Sequence, residues 1–152
     1  MIEYKVKAYT NGDKHWYLNG KLHREDGPAI DSAHGDKYWY LNGKKHREDG
    51  PAIEFSNGDK HWYLNGKLHR EDGPAVEWAN SDKFWYLNGK LHREDGPAIE
   101  RSNGDKYWYL NDSQLTESDH KAATSPKKPS CEGKEVVIDG ITYVLKEIKY
   151  ND

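Results

Sequence analysis

The sequence predicts an all-β fold: a single-layer, twisted antiparallel meander of five 23-residue, two-strand repeats, followed by a short linker and a C-terminal β-hairpin. Three observations predict it. A tryptophan recurs at a constant spacing of 23 residues, the segment HREDGPA occurs four times, and WYLN begins at each of the five tryptophans, Trp16, Trp39, Trp62, Trp85 and Trp108. Self-similarity with a period between about 20 and 50 residues indicates a stacked repeat array.

Two turn signals divide every repeat into two strands. Asn-Gly follows the WYL segment, as at Asn19-Gly20, and is a strong hairpin signal because both residues tolerate positive φ. A second turn follows about fifteen residues later, as at Asn57-Gly58. The chain therefore runs as a meander, and equivalent side chains of successive repeats should lie about 9 to 10 Å apart, because neighbouring strands are about 4.8 Å apart.

The first turn predicts which side chains share a face. A two-residue turn at Asn19-Gly20 pairs Tyr17 with Leu22, Trp16 with His23 and, further out, Lys14 with Glu25. The tryptophans then lie on one face of the sheet, with His23 and its equivalents beside them, and the tyrosines lie on the other face.

The second turn, counted as two residues, pairs Ile53 with Trp62 and places the Ile and Val side chains on the tryptophan face as core. This arrangement requires that the alternation of side chains between the two faces shifts by one residue within each long strand. We predict the change at the EDGP segment, where a left-handed glycine such as Gly50 would form a bulge and proline cannot donate to the ladder.

Composition and charge exclude several classes of protein. Of 152 residues, 34% are hydrophobic and 32% are charged, and the aromatic residues are mostly tryptophan (6) and tyrosine (11), which suits a thin sheet better than a thick core. The net charge of −3, with both signs interspersed, argues against DNA or RNA as a partner. The absence of a long apolar segment argues against a membrane span, and the polar N-terminus predicts a cytoplasmic protein.

Two segments follow the array. We assign residues 1–111 to the repeats, 112–134 to a polar linker and 135–152 to the hairpin. Within the linker, Thr116 with Asp119 three residues later predicts the cap of a short helix that runs through Ala123. The hairpin turns at Asp139-Gly140 and, because a lone hairpin is rarely stable, we expect it to dock on the end of the array or to pair with another chain.

The fourfold His-Arg-Glu-Asp segment offers the side chains of a metal or catalytic site. Neighbouring residues of a strand point to opposite faces, and equivalent residues lie too far apart to share a zinc ion, whose ligands lie at about 2.0 to 2.3 Å. We therefore predict structural roles, with arginine over tyrosine and histidine against tryptophan. With no recognisable catalytic motif, the chain is predicted to be non-enzymatic, with no cofactor and no metal.

The WYxNGK pattern, followed by His and then Gly at a period near 23, resembles the MORN and MORN-variant repeats over residues 1 to about 112. It is most similar to YwqK-like antitoxins and to MORN-like repeat proteins of phages. It differs from the standard MORN pattern at Arg24-Glu25-Asp26-Gly27-Pro28, where the standard repeat has His-Gly-x-Gly. The resemblance implies a scaffold or binding surface, and the likeness to antitoxins implies neutralisation of a protein partner by direct contact.

The tyrosine face is the predicted binding surface, because a single sheet leaves one face uncovered and tyrosine is common in protein interfaces. The residue before each tryptophan varies between repeats and shares this face by strand alternation; position 55 and its equivalents also vary between repeats. The predicted binding residues are Tyr17, Tyr40, Tyr63, Tyr86, Tyr109, His61, Phe84, Arg47 and Arg70.

The sequence thus predicts a protein-binding module, most specifically an antitoxin, immunity or phage counter-defence inhibitor that binds a toxin or a host-defence enzyme. Two alternatives remain open. One is a sponge that sequesters a nucleotide signal with Arg24-type guanidinium groups and tyrosine rings. The other is a structural scaffold that self-associates into a homo-oligomer through an exposed end strand.

Overall fold

The computed structural model describes residues 3–126, 135–138 and 141–144. It confirms the all-β prediction: antiparallel strands follow one another in chain order, with one short helix and a separate C-terminal hairpin. The main sheet begins and ends with longer strands, β1 (Lys5–Ala8), β2 (Lys14–Leu18), β17 (Lys106–Leu110) and β18 (Ser113–Leu115).

Between these longer strands, each repeat adds two-residue strands to the sheet. Those that carry Ile or Val are β4 (Ile30–Asp31), β8 (Ile53–Glu54), β12 (Val76–Glu77) and β16 (Ile99–Glu100). Those that precede a tryptophan are β5 (Lys37–Tyr38), β9 (Lys60–His61) and β13 (Lys83–Phe84). The strand order, β1-β2-β4-β5-β8-β9-β12-β13-β16-β17-β18, has no crossover, as expected for a meander.

The Asn-Gly turns form the predicted hairpins. Their strands are β3 (Lys21–Leu22), β6 (Tyr40–Leu41), β7 (Lys44–Lys45), β10 (Tyr63–Leu64), β11 (Lys67–Leu68), β14 (Tyr86–Leu87) and β15 (Lys90–Leu91). Tyr17 pairs with Leu22, and the His23 amide donates to the Trp16 carbonyl at 3.0 Å. Asn19 has a φ of 50° and Gly20 a φ of 75°, the two positive values that a type I′ turn requires.

The second turn differs from the prediction by one residue. The Phe55 amide donates to the Asp59 carbonyl at 2.9 Å, so the loop contains three residues and ends at Gly58, whose φ is 98°. A three-residue loop with a left-handed last residue shifts the pairing by one position. Ile53 therefore pairs with His61 and not with Trp62. The prediction that the Ile and Val side chains lie on the tryptophan face is wrong, because paired residues share a face and these lie with His61 on the tyrosine face.

The EDGP segment contains no left-handed glycine, so the bulge predicted at Gly50 and its equivalents is wrong. A Cβ atom on Gly50 would lie 2.9 Å from Arg47 Cζ, which shows that glycine leaves room for the guanidinium group. The chain leaves the sheet at this segment. As a result, Lys14 pairs with Asp31 and not, as predicted, with Glu25.

The fully buried residues are small. The alanines that precede the Ile and Val strands have no exposed surface, and Ile53 and Val76 are 3% and 5% exposed. The tryptophans, predicted to form the core, are only half-buried. The backbone amides of four tryptophans donate to these alanine carbonyls, as from Trp62 to Ala75 at 2.8 Å.

Aspartate side chains link successive repeats at one end of the strands, where the second turns lie. In four of the five second turns a carboxylate oxygen accepts a hydrogen bond from the backbone amide 20 residues later, for example Asp36 from Ser56 at 2.8 Å and Asp82 from Ser102 at 2.7 Å. These backbone hydrogen bonds are the main reason that the pKa values of Asp36 and Asp82 lie below their ordinary value. We call this contact the aspartate bridge.

Histidine side chains link the repeats at the other end of the strands, where the Asn-Gly turns lie. The Asn42 amide donates to His23 Nδ1 at 3.0 Å, and the equivalent distances in the following repeats are 3.1, 3.1 and 3.2 Å. This contact, the histidine bridge, satisfies an amide at a left-handed turn residue that has no strand partner. Histidine therefore acts between repeats, in addition to its predicted place opposite tryptophan.

Helix α1 (Glu117–Thr124) covers the last repeat. Thr116 caps it by accepting a hydrogen bond from the Asp119 amide at 3.1 Å, as predicted. His120 is 2% exposed, and its Nε2 donates to the Arg93 carbonyl at 2.6 Å. The helix thus occupies the end of the array, a place predicted as one of two possible positions of the hairpin.

The C-terminal hairpin is formed by β19 (Glu135–Ile138) and β20 (Ile141–Val144), which pair as predicted. The predicted turn at Asp139-Gly140 and residues 145–152 lie outside the described residues. All eight described residues of the hairpin are exposed, so docking of the hairpin on the array is not observed.

Ser81 provides a test of the three-residue turn. It has a φ of 74° where the other repeats have glycine, and a left-handed conformation costs a residue with a Cβ roughly 1 to 2 kcal/mol. After the backbone entropy of glycine is subtracted, Ser81→Gly should raise the free energy of unfolding by about 0.5 to 1 kcal/mol in urea denaturation. Ala79→Gly, in the same loop without a positive φ, should lower it; equal effects of the two substitutions would contradict the assigned turn.

The aspartate bridges predict sensitivity to acid. A carboxyl group whose pKa is lower in the folded than in the unfolded protein stabilises the fold at any pH above its pKa in the unfolded protein, which is about 3.9. This stabilisation is lost as the pH falls through the pKa of the folded protein. We expect the free energy of unfolding to be steady above about pH 5 and to fall below about pH 4. An Asp36→Asn/Asp82→Asn variant should be less stable at pH 7 and should show a shallower fall, measured by urea titration at several pH values; an unchanged slope would exclude these groups as the cause.

Candidate functional site

The two faces of the sheet carry different side chains. One face, here called the aromatic face, carries the row of tyrosines and the residues that precede the tryptophans. The other, the tryptophan face, carries the tryptophans and the REDGP loops. The structure divides the predicted binding residues between these faces: the tyrosines, His61 and Phe84 lie on the aromatic face, and Arg47 and Arg70 lie on the tryptophan face.

The tyrosine row runs the length of the array and is half-buried: Tyr17, Tyr40, Tyr63, Tyr86 and Tyr109. Burial raises the pKa of Tyr40, Tyr63 and Tyr86 above its ordinary value, so the phenols are neutral at physiological pH. His15 Nδ1 lies 3.4 Å from the Tyr17 hydroxyl, which places the residue before the tryptophan beside the tyrosine row, as strand alternation predicts.

A strip of residues that vary between repeats lies next to the tyrosine row. Phe55 and His61 are in edge contact, with ring centroids 5.4 Å apart, and His61 contacts Trp78 at 5.3 Å. Tyr38 extends this line through Phe55 at 5.9 Å. Two varied positions on either side of the second turn therefore lie side by side in one row along the array, which we call the variable strip. Its members are Tyr9, His15, Ser32, Tyr38, Phe55, His61, Trp78, Phe84, Arg101 and Tyr107.

The chemistry of the variable strip changes along the array. At the N-terminal end Tyr9 packs on His15 at 4.6 Å, and at the C-terminal end the Arg101 guanidinium lies 5.8 Å from the Phe84 ring centroid. A third variable position also lies on this face: Lys45 replaces a leucine, and its Nζ lies 4.9 Å from the Tyr63 ring centroid. Burial lowers the pKa of His61, so this side chain is neutral at pH 7.

Each REDGP arginine lies over the tryptophan of its own repeat. Arg70 Cζ is 4.1 Å from the Trp62 ring centroid, and the distances in the other repeats are 4.2, 4.1 and 4.0 Å. The predicted stacking of arginine over tyrosine is therefore wrong. Arg70 also donates to Asp72 at 2.9 Å, to the Pro74 carbonyl at 3.2 Å and to Glu77 at 2.9 Å. The hydrogen bond from Arg70 holds the pKa of Asp72 below its ordinary value.

Successive REDGP loops enclose a repeating cleft on the tryptophan face. Three such clefts, here called the inter-repeat clefts, have volumes of about 750, 710 and 740 Å³. In the cleft between the third and fourth loops, Trp85 and Leu87 are among the lining residues, together with the loop residues Arg70–Pro74 and Arg93–Asp95. The carboxylates of Glu71 and Asp72 are both 84% exposed.

The geometry separates the two groups that the nucleotide-sponge alternative requires together. The guanidinium groups already contact a tryptophan ring, an aspartate and a carbonyl, with a further glutamate at Arg47, Arg70 and Arg93, and no tyrosine lines an inter-repeat cleft. Sequence reasoning missed these clefts. The available signal was the fourfold Gly-Pro after Arg-Glu-Asp, which indicates an ordered loop, but the arginine–tryptophan contact that shapes the cleft depends on the path of the folded chain.

No protein-family model matches this chain, and no curated protein matches it. The resemblance to MORN-type repeats therefore stays a prediction. Within residues 3–126 and the two hairpin strands, no group of three or more His, Cys, Asp or Glu side chains is placed to hold a metal ion. No helix in this part of the chain is long and apolar enough to cross a membrane.

The room that glycine leaves for arginine can be tested with a double-mutant cycle. A Cβ on Gly73 would lie 2.9 Å from Arg70 Cζ, so Gly73→Ala should displace the guanidinium group from Trp62 and lower the free energy of unfolding by about 1 to 2 kcal/mol. In an Arg70→Ala background, the same substitution should cost almost nothing, because the space is vacant. Urea denaturation followed by tryptophan fluorescence measures both; an equal cost in the two backgrounds would contradict this role of the glycine.

Proposed function

We propose that this chain is a non-enzymatic protein-binding module whose aromatic face contacts the partner. One observation carries the proposal: the positions at which the near-identical repeats differ most in chemistry come together on that face. The constant residues form the turns, the bridges and the arginine–tryptophan contacts. Variation is thus concentrated where it leaves the framework unchanged, as expected for a surface that distinguishes one partner from others.

The aromatic face has the size and composition of a protein interface. Four repeat intervals of about 9.6 Å separate Tyr17 from Tyr109, and three rows of side chains give a width of about 20 Å, so the face covers on the order of 800 Å². This is the usual contribution of one partner to a stable complex. Tyr and Trp side chains supply large contact areas at low entropic cost, and a ring edge with a hydroxyl or N–H group tolerates water in the free protein.

The more specific form of the proposal is that the partner is a toxin or a host-defence enzyme, which the chain inhibits in the cytoplasm by direct contact. This form rests on the resemblance of the WYxNGK pattern to antitoxins and phage repeat proteins. Inhibition requires only that the partner's active surface be covered, so it needs no catalytic group on this chain.

A self-associating scaffold is the alternative that a structural observation favours. On the C-terminal hairpin, Val136, Ile138, Ile141 and Tyr143 share one face and are 38 to 58% exposed. A two-stranded hairpin with an exposed apolar face is marginally stable alone and gains stability when another surface covers it. Sedimentation over a range of concentrations distinguishes a monomer from such an assembly.

The repeats themselves provide safe substitutions for testing the aromatic face. Ser32 occupies the position of Phe55 and Trp78 in the first repeat, so Phe55→Ser/Trp78→Ser should fold while losing two large contact residues. We expect the wild-type chain to capture a stoichiometric protein partner from its host lysate and this variant to lose it, with mass spectrometry as the readout. Tyr63→Ala/Tyr86→Ala should also lose the partner.

The matched control is Ser56→Ala, which exchanges two residues that alternate between repeats outside the variable strip and should leave capture unchanged. Equal capture by wild type and both aromatic-face variants would show that this face is not the site. The absence of any stoichiometric partner would remove the proposal. If a partner is an enzyme, loss of its activity on addition of the wild-type chain, but not of the variants, would support the inhibitor form.

A further inference from the structure

We propose that the three inter-repeat clefts form a second binding site, on the face opposite the aromatic face, for an extended basic protein segment with an arginine or lysine at every third residue. Each cleft would hold one cationic side chain. The proposal does not depend on the partner of the aromatic face, because no residue of that face lines a cleft.

The charge of the clefts selects a cation. The cleft between the third and fourth loops has four carboxylates and two guanidinium groups in its lining, a net charge of −2. The carboxylates are 78 to 84% exposed, whereas the arginine side chains are 21 to 22% exposed. Both arginines are already held by an aspartate, a glutamate and a carbonyl. An entering ligand therefore meets negative charge, and no free guanidinium group is available for a phosphate.

The cleft also matches the apolar part of a long cationic side chain. Trp85, Leu87 and Pro74 contribute apolar surface to the lining, while Glu71 and Glu94 stand at the rim with only a 3.6 Å contact to a histidine of their own loops. The methylene groups of an arginine or lysine can pack on the apolar residues while the charged end reaches the glutamates. Arginine can in addition form two parallel hydrogen bonds with one carboxylate.

The spacing of the clefts selects the sequence period of the ligand. Equivalent points in successive repeats lie about 10 Å apart, since each repeat adds two strands of about 4.8 Å. Three residues of a chain in the polyproline II conformation span about 9 Å, at about 3.1 Å per residue, and complete one turn, so every third side chain points the same way. A segment that runs along the array therefore presents every third side chain to successive clefts. Three linked weak contacts add to a useful affinity only when their spacing matches.

The test uses the full-length chain and synthetic peptides with a fluorescent label. One peptide carries three arginines at every third position, separated by Ser-Gly pairs, and the other has the same composition with the three arginines adjacent. Fluorescence anisotropy at low and at physiological salt should show that the spaced peptide binds about tenfold more tightly, because the adjacent peptide can engage only one cleft at a time. Equal affinities would overturn the proposal.

A triple variant, Glu48→Gln/Glu71→Gln/Glu94→Gln, removes both rim glutamates from two clefts and one of the two from the third. It should weaken binding of the spaced peptide by about tenfold, a few-fold for each exposed ion pair. The matched control is Glu3→Gln/Glu117→Gln/Glu135→Gln, which makes the same change in net charge at exposed positions outside the clefts. It should bind as wild type does; an equal loss in both variants would show general charge attraction and overturn the site. Thermal unfolding curves establish that each variant is folded.

The aromatic-face variant Phe55→Ser/Trp78→Ser separates this site from the proposed function. It should bind the spaced peptide with wild-type affinity even where it loses its protein partner. Conversely, the triple glutamate variant should still capture that partner. Loss of peptide binding in the aromatic-face variant would place the peptide on the wrong face and overturn the proposal.

Discussion

Backbone amides at the junctions between repeats need acceptors that the short strands do not supply, and two side chains per repeat supply them. In the aspartate bridge a carboxylate accepts a hydrogen bond from a backbone amide at one end of the strands, where the second turns lie. In the histidine bridge an imidazole nitrogen accepts one at the other end of the strands, where the Asn-Gly turns lie. Because the acceptors lie 20 and 19 residues before their donors, each repeat is fixed at both ends of its strands in one position relative to the next repeat. Strands of two residues can then form a regular array, since pairing along the strand is not the only contact that sets the register.

The bridges explain how so thin a protein tolerates variation. A single sheet has little interior, and here it consists mainly of alanine, isoleucine and valine. On the tryptophan face, the arginine that covers the tryptophan in each of four repeats is held by an aspartate and a carbonyl, and in three of the four also by a glutamate, so its distance from the ring hardly changes. The aromatic face has no comparable network of fixed partners. Substitutions there change the surface while the junctions between repeats remain the same.

The two ends of the array are closed by residues that do not follow the repeat pattern. At the N-terminal end the Glu25 amide donates to the Tyr4 hydroxyl at 3.3 Å, and β1 pairs along β2. At the C-terminal end His120 of α1 donates to the Arg93 carbonyl, in a place that a further repeat would otherwise cover. Repeat arrays need such ends, because an internal repeat exposes unsatisfied groups when its neighbour is missing. The described residues thereby close the array at both ends without using the aromatic face or the inter-repeat clefts.

The recurrence of the motifs determined the period. Local sequence determined the positions of the two turns of each repeat, the pairing across Asn19-Gly20 and the helix cap at Thr116, because each of these depends on residues within a few positions of one another. The tertiary structure alone decided which face holds Ile53, because the third loop residue, Gly58, shifts the pairing by one position and so moves every side chain of the strand to the opposite face. It also decided that Arg70 lies over Trp62 and that His61 meets Trp78. These contacts join residues from different strands or repeats, and their distances depend on the twist and path of the folded chain, which residue spacing does not specify.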